Sequence, residues 1–166
     1  MTAAIRPLCP GADRAAVADL FRRSADYVRL ERDEEPDDAL ADEFFADAVP
    51  GGRPQAQVKL GLFDAEGRLL GLADMGLGYP EPAGAFLGLL QLAAEARGQG
   101  LGRAFLRHLA AEARARGARR LFIAVLHANP RGRAFWEREG FAVETETRMV
   151  TLGTKTQPAN RMVKPL

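Results

Sequence analysis

The apolar positions of this chain change period several times, and each change marks an element. In "DRAAVADLFRRSADYVRL", Val17, Leu20, Phe21, Ser24 and Val28 recur at helical spacing, which predicts one helix with Asp13 as its N-cap. "PDDALADEFFADA" repeats that spacing over a shorter span, with Leu40, Phe44 and Phe45 turned inward, and "VPGGRP" ends it. The period then falls to two. "AQVKLGLFDAEGRLLGLADMGLGYP" predicts two strands joined at the turn-rich "DAEGR", and "AAIRPL" predicts a short first strand. "AFLGLLQLAA" is apolar without interruption, as in a strand buried on both faces. Helical spacing returns from Leu101 to Arg116. There Leu101, Phe105, Leu109 and Ala113 share one face, Arg103, Arg107 and Arg114 lie opposite, and Gly117 is the C-cap. "RLFIAVL" is another buried strand. "NPRGRAFWEREG" is a short helix with Pro130 in its first turn and Gly140 as its stop, and "FAVETETRMVTL" and "NRMVKPL" are closing strands.

No internal repeat, low-complexity tract or linker divides the series, so residues 1–166 are expected to form a single domain. That length is enough for a full core, and 47% hydrophobic with 27% charged residues is ordinary for a soluble globular protein. No apolar run approaches the roughly 20 residues of a membrane span. The start, "MTAAIRPLCPGADR", lacks the apolar core of a signal peptide. The expectation is a cytoplasmic protein with no membrane partner. Cys9 is the only cysteine, and His108 and His127 lack metal-ligand spacing, so neither a disulfide nor a metal site is expected.

A net charge of +1 argues against a nucleic-acid partner, but the charge is unevenly placed. Residues 31–47 hold nine acids against one arginine, and residues 97–138 hold ten arginines against two glutamates. The second region suits a compact anion. It opens with "EARGQGLGRAFL", a glycine-rich turn between a strand and a helix. The first turn of a helix leaves peptide N–H groups without partners and carries partial positive charge. A phosphate reaches those groups only where no Cβ holds it away. Gly98, Gly100 and Gly102 remove the Cβ at alternate positions, and Arg97 adds a guanidinium fork. A P-loop would need Gly-Lys-Ser/Thr, which is absent. The dinucleotide pattern GxGxxG fails in both registers, at Arg103 and at Phe105.

The spacing that matches is Arg-x-x-Gly-x-Gly, at Arg97, Gly100 and Gly102. It resembles the pyrophosphate loop of the GNAT superfamily of N-acetyltransferases. A second segment, "NPRGRAFWEREGF", is similar to that family's Asn-x-x-Ala/Gly-x-x-Phe-Tyr-x-x-x-Gly-Phe, here at Asn129, Gly132, Phe135, Trp136, Gly140 and Phe141. The motif-bearing part covers about residues 85–142. The resemblance implies an α+β fold of three layers, α/β/α, with a mixed, mostly antiparallel sheet of about seven strands and about four helices. It implies acetyl-CoA as cofactor, a small-molecule amine as acceptor, transfer by direct attack in a ternary complex, and a homodimer. A protein or peptide acceptor, or a non-catalytic acyl-CoA-binding module, are the competing readings.

By the same resemblance, the peptide groups of Leu92, Ala93 and Ala94 meet the pantetheine arm, with the N–H of Leu92 facing the thioester carbonyl as an oxyanion donor. Arg97, Gly98, Gln99, Gly100, Leu101, Gly102 and Arg103 would hold the diphosphate. Asn129 either bonds the arm or caps its helix, and Phe135 and Trp136 serve either as core or as cofactor wall. One departure stands out: Trp136 occupies the place of the family's usual tyrosine, and an indole N–H is not a useful general acid. Tyr79 replaces it if its loop folds over the site. No base is evident. Asp74 interrupts an apolar strand and is either a base of raised pKa or a hydrogen-bonded structural carboxylate. Glu81 and Glu95 are weaker candidates. The acidic stretch 31–47 is either a solvated face or the wall of a groove for a cationic amine.

Overall fold

A computed structural model of the chain describes residues 3–166. Seven strands form one sheet in the order β1-β2-β3-β4-β5-β7-β6. They are β1 (Ala4–Pro7), β2 (Gln57–Phe63), β3 (Leu69–Leu77), β4 (Gly84–Leu92), β5 (Arg120–Leu126), β6 (Ala142–Leu152) and β7 (Lys155–Pro165). Every pairing is antiparallel except β4 with β5. The helices are α1 (Pro10–Arg23), α2 (Ala25–Arg32), α3 (Asp38–Ala46), α4 (Leu101–Ala115) and α5 (Pro130–Arg138). The side chain of Gln91 on β4 reaches Ser24 between α1 and α2. Its neighbour Leu92 lies instead by the first turn of α4, so α1–α2 and α4 cover opposite faces of the sheet.

Five helices stand where about four were expected, because the first one breaks. Ser24 is fully buried and donates its Oγ–H back to the Leu20 carbonyl at 2.8 Å, one turn earlier. Its own backbone leaves the helical region (φ −128°, ψ 33°), and α2 sets off in a new direction. Asp13 is not the N-cap of α1. Cys9 holds that place, and Asp13 reaches back from the first turn to accept the Cys9 N–H at 2.7 Å while Arg6 grips both its oxygens.

β4 also departs from the pattern. Leu87 faces Met75 and Leu89 faces Asp74, which leaves Gly88 as the extra residue of a β-bulge. The ladder to β5 stops at Phe86–Phe122. Beyond it the two strands separate, so Leu89, Leu90 and Leu92 are half-buried rather than enclosed on both sides. The sheet is open along its middle at this point, and the site lies there.

Candidate active site

The gap between β4 and β5 has peptide groups on its wall. Ala93 N–H donates to the Leu70 carbonyl at 2.9 Å, so alternation turns the peptide groups of Leu90 and Leu92 away from β3 and into the gap. Of the stretch Leu92–Ala94, only Leu92 presents both its N–H and its C=O there. Ala93 N–H is taken by β3, and the Ala93 carbonyl accepts Ala96 N–H at 2.9 Å. Leu90, not singled out from the sequence, offers a second peptide group.

At the end of β4 the chain turns into α4. Gly98 and Gly100 adopt left-handed conformations, φ 75° and 78°, and a Cβ on either would meet nothing within 4 Å. Left-handed geometry therefore belongs to these two glycines. Gly102 is helical, and a Cβ there would lie 3.6 Å from Leu92 and 3.8 Å from Phe135, pointing into the end of the gap. The first helical bond of α4 is Ala104 N–H to Gly100 O at 3.1 Å. From Gly98 to Arg103 the N–H groups have no acceptor among the described residues. Gly100 as N-cap supplies no side-chain acceptor either, so partial positive charge and unsatisfied donors converge on open space.

Arg97 does not reach out freely. Its guanidinium bonds both oxygens of Asp26 on α2, at 2.6 and 3.1 Å, and also the Leu92 carbonyl at 3.2 Å. The Arg97 fork holds the Asp26 carboxyl below its usual range. Arg103 lies 3.5 Å from Glu139, and Gln99 donates to the Glu95 carbonyl. Asn129 caps α5 by accepting the Gly132 N–H at 2.9 Å. A Cβ on Gly132 would stand 2.4 Å from Asn129 Nδ2, so a larger residue there would have to shift the capping side chain. Trp136 stacks edge-on between Phe135 and Phe141, with ring centroids 4.9 and 5.2 Å away. His127 pairs with Asn160 at 2.9 Å.

On the α1–α2 face, above the bulge, is a cavity of about 250 Å³. Gly88 and Leu89 form its floor, Val28 and Glu31 of α2 one wall, Phe44 of α3 another, and Tyr79 its edge. The loop after β3 thus brings Tyr79 to the site, its ring 5.6 Å from that of Phe86. Asp74 also lines the cavity, but Gln57 donates to one of its oxygens and Lys59 lies 2.9 Å from the other. Burial raises its pKa in spite of those partners. A carboxylate with both oxygens engaged, one by an ammonium, fits the structural reading. Arg120 binds Glu81 and holds its carboxyl below the usual range, and Glu95 is held there first by its own backbone N–H and then by Arg23.

Glu31 was not picked out from the sequence beyond its place in the acidic stretch. It is half-buried. The cavity walls strip its carboxyl of water and raise its pKa from 4.5 to about 7, opposed by hydrogen bonding from Tyr27. The only sequence signal was the i, i+4 spacing of Tyr27 and Glu31 on a helix, which is too common to be diagnostic.

The sequence matches the model of the acetyltransferase (GNAT) family over residues 15–141. The chain belongs to the GNAT family. Members are acetyl-CoA-dependent N-acetyltransferases, and this GNAT protein is an acyltransferase of that class. An acetyltransferase from Thermus thermophilus is 30% identical and superposes with a TM-score of 0.77, covering 100% of this chain and 98% of that one. The ribosomal-protein-S18-alanine N-acetyltransferase of Escherichia coli is 21% identical, with a TM-score of 0.72 and coverage of 99% and 94%. Spermidine N-acetyltransferase of Vibrio cholerae, solved with CoA and spermine, is 19% identical, with a TM-score of 0.74 and coverage of 98% and 95%. The last two likenesses concern the fold alone. No curated protein matches the sequence significantly. Among the described residues no helix is long and apolar enough to cross a membrane.

Proposed function

We propose that this GNAT protein transfers the acetyl group of acetyl-CoA to the amine of a small molecule, with both substrates bound at once across residues 1–166 acting as one domain. The observation that carries the reading is the row of N–H groups from Gly98 to Arg103 without acceptors, set at the open end of the β4–β5 gap. Those N–H groups would hold the diphosphate, with Arg97 exchanging Asp26 for phosphate oxygens and Arg103 adding charge. The peptide groups of Leu90 and Leu92 would fix the pantetheine amides, while Phe135 and Asn129 close the far side and Trp136 backs Phe135. Acetyl-CoA supplies the acetyl group as an activated thioester.

An N–H that β4 turns into the gap, that of Leu92 or that of Leu90 beside the cavity floor at Leu89, would donate to charge developing on the carbonyl oxygen, and holding the two reactants together adds to it. Tyr79, which lines the same cavity, would give a proton to the departing thiolate, a step Trp136 cannot perform. A cavity of about 250 Å³ beside Leu89 supports a small acceptor over a protein surface. The unpaired outer side of the edge strand β6, where Met149 is 62% exposed, supports a homodimer, and we place its work in the cytoplasm.

Calorimetry with Gly102→Asp tests the loop. The helical backbone there tolerates a side chain, but a carboxylate would oppose both phosphate and helix dipole, so acetyl-CoA affinity is expected to fall at least roughly a hundredfold. Unchanged affinity in the folded variant would falsify the loop assignment. A panel of small amines and peptides, read by thiol release, separates a small-molecule enzyme from a peptide acetyltransferase and from a binding module.

A further inference from the structure

We infer, building on the acetyltransferase reading, that Glu31 takes the proton from the incoming amine and that this amine is a cation bearing no carboxylate of its own. The first support is an ion-pair census of the cavity. Glu43 is paired with Arg32 at 2.9 Å and Asp74 with Lys59 at 2.9 Å. Glu31 and Asp47, which line the same cavity, have no cation within salt-bridge distance among the described residues. The cavity lining therefore carries an excess of negative charge, and its one cation, Arg32, is engaged by Glu43. An ammonium gains from that field, while a carboxylate would meet repulsion and no partner.

The second support is position. The Gln157 side chain on β7 donates to the carbonyls of Leu30 and Glu31, each at 3.1 Å, and Lys155 pairs with Asp33 at 2.9 Å. The end of α2 is thus fixed, and Glu31 is held on the cavity wall across from the bulge at Gly88 and Leu89. No other acid is as well placed. Asp74, Glu81 and Glu95 are ion-paired, and Asp47, though burial of its carboxyl raises its pKa too, is an exposed residue beyond the end of α3. The charged and titratable groups that share the cavity with Glu31 or lie beside it are Tyr27 and Arg32 on α2, Glu43 on α3, Asp47 beyond it, Asp74 on β3 and Tyr79 in the loop after β3. With an acid strength near neutrality, Glu31 can accept a proton and return it to water within a turnover.

The protons balance. An ammonium gives one to Glu31 and becomes a nucleophilic amine. Its nitrogen bonds the acyl carbon as the carbon–sulfur bond breaks, a second proton goes to the departing thiolate, and the third stays on the amide. Glu31 then releases its proton to solvent.

Wild type and Glu31→Gln are compared in three measurements. Calorimetry with acetyl-CoA should give equal affinities; no binding to the wild type would overturn the acetyltransferase reading itself. Binding of an aliphatic diamine such as putrescine to the CoA complex, measured just below neutral pH in two buffers of different ionisation enthalpy, should release up to roughly half a proton from the wild type and none from the variant. The pH profile of kcat/KM should lose its acidic limb in the variant, with the rate down roughly 10²–10⁴-fold. A variant that binds acetyl-CoA yet keeps both rate and limb sinks the role of Glu31. Preference of the wild type for an α-amino acid over the diamine sinks the substrate class. If the variant does not fold, the wild type's own proton release and acidic limb decide.

Discussion

Burial of the Glu31 carboxyl without a cation costs the fold something, and the cost depends on pH. Its folded pKa of about 7 lies above the value of 4.5 for the free side chain. Between the two the native state holds more protons than the unfolded chain, so stability falls as pH rises across that window. Glu31→Gln removes the penalty. It is expected to be more stable than wild type at pH 8 by on the order of 1–3 kcal/mol, a difference that fades toward pH 4. Urea denaturation at both pH values checks this, and a pH-independent difference would count against it. A stabilising substitution that abolishes proton transfer is the trade-off expected of a working site. Asp74 shows the contrast: burial raises its pKa as well, but Gln57 donates to one of its oxygens and Lys59 pairs with the other.

At the scale of elements, α2 is the part that links the two halves of the site. Asp26 at its start bonds Arg97 of the anion loop, Glu31 near its end faces the acceptor cavity, and β7 anchors its last turn. Its direction is set by the break at Ser24, whose hydroxyl bonds Leu20 and accepts the Gln91 side-chain amide from β4. Gln91 Oε1 is buried with no partner of its own, so this contact is the amide's one bond among the described residues. Ser24→Ala leaves the whole amide unpaired and should cost about 1–3 kcal/mol. Adding Gln91→Leu should recover most of that stability, because removing both polar partners is far cheaper than removing one. A thermal-denaturation double-mutant cycle measures the coupling, and additive losses would show that Ser24 acts through the helix alone.

For the whole molecule, a ligand held by the native turn and gap must stabilise the native state. At a hundredfold excess over Kd, acetyl-CoA should raise the melting temperature by about 5–10 °C, while NAD and ATP should not. Equal shifts from all three would mean generic anion binding. Much of this arrangement was legible along the chain. Alternating or uninterrupted apolar runs marked the strands, though β7 begins five residues before the expected Asn160, and period-3.6 spacing marked the long helix α4, because which faces can be buried is a local property. The turn at Gly98–Gly100 was legible too, since left-handed backbone and exposed N–H groups follow from missing side chains nearby in sequence. Three features were not. Ser24 lies in helical phase with its neighbours, yet a partner 67 residues away helps fix the break there. β4 has the composition of an enclosed strand, but the bulge at Gly88 and the end of the β5 ladder leave half of it open. Glu31 is one acid among nine in its stretch. Folding paired five of the others with arginine or lysine and stripped this one of water in the cavity lining. The chain's own order of residues determined the elements and the anion-binding turn, whose physics is short-ranged. Tertiary structure alone decided where β4 parts from β5 and which carboxylates of the cavity are left without a counter-charge, because both depend on groups brought together from distant segments.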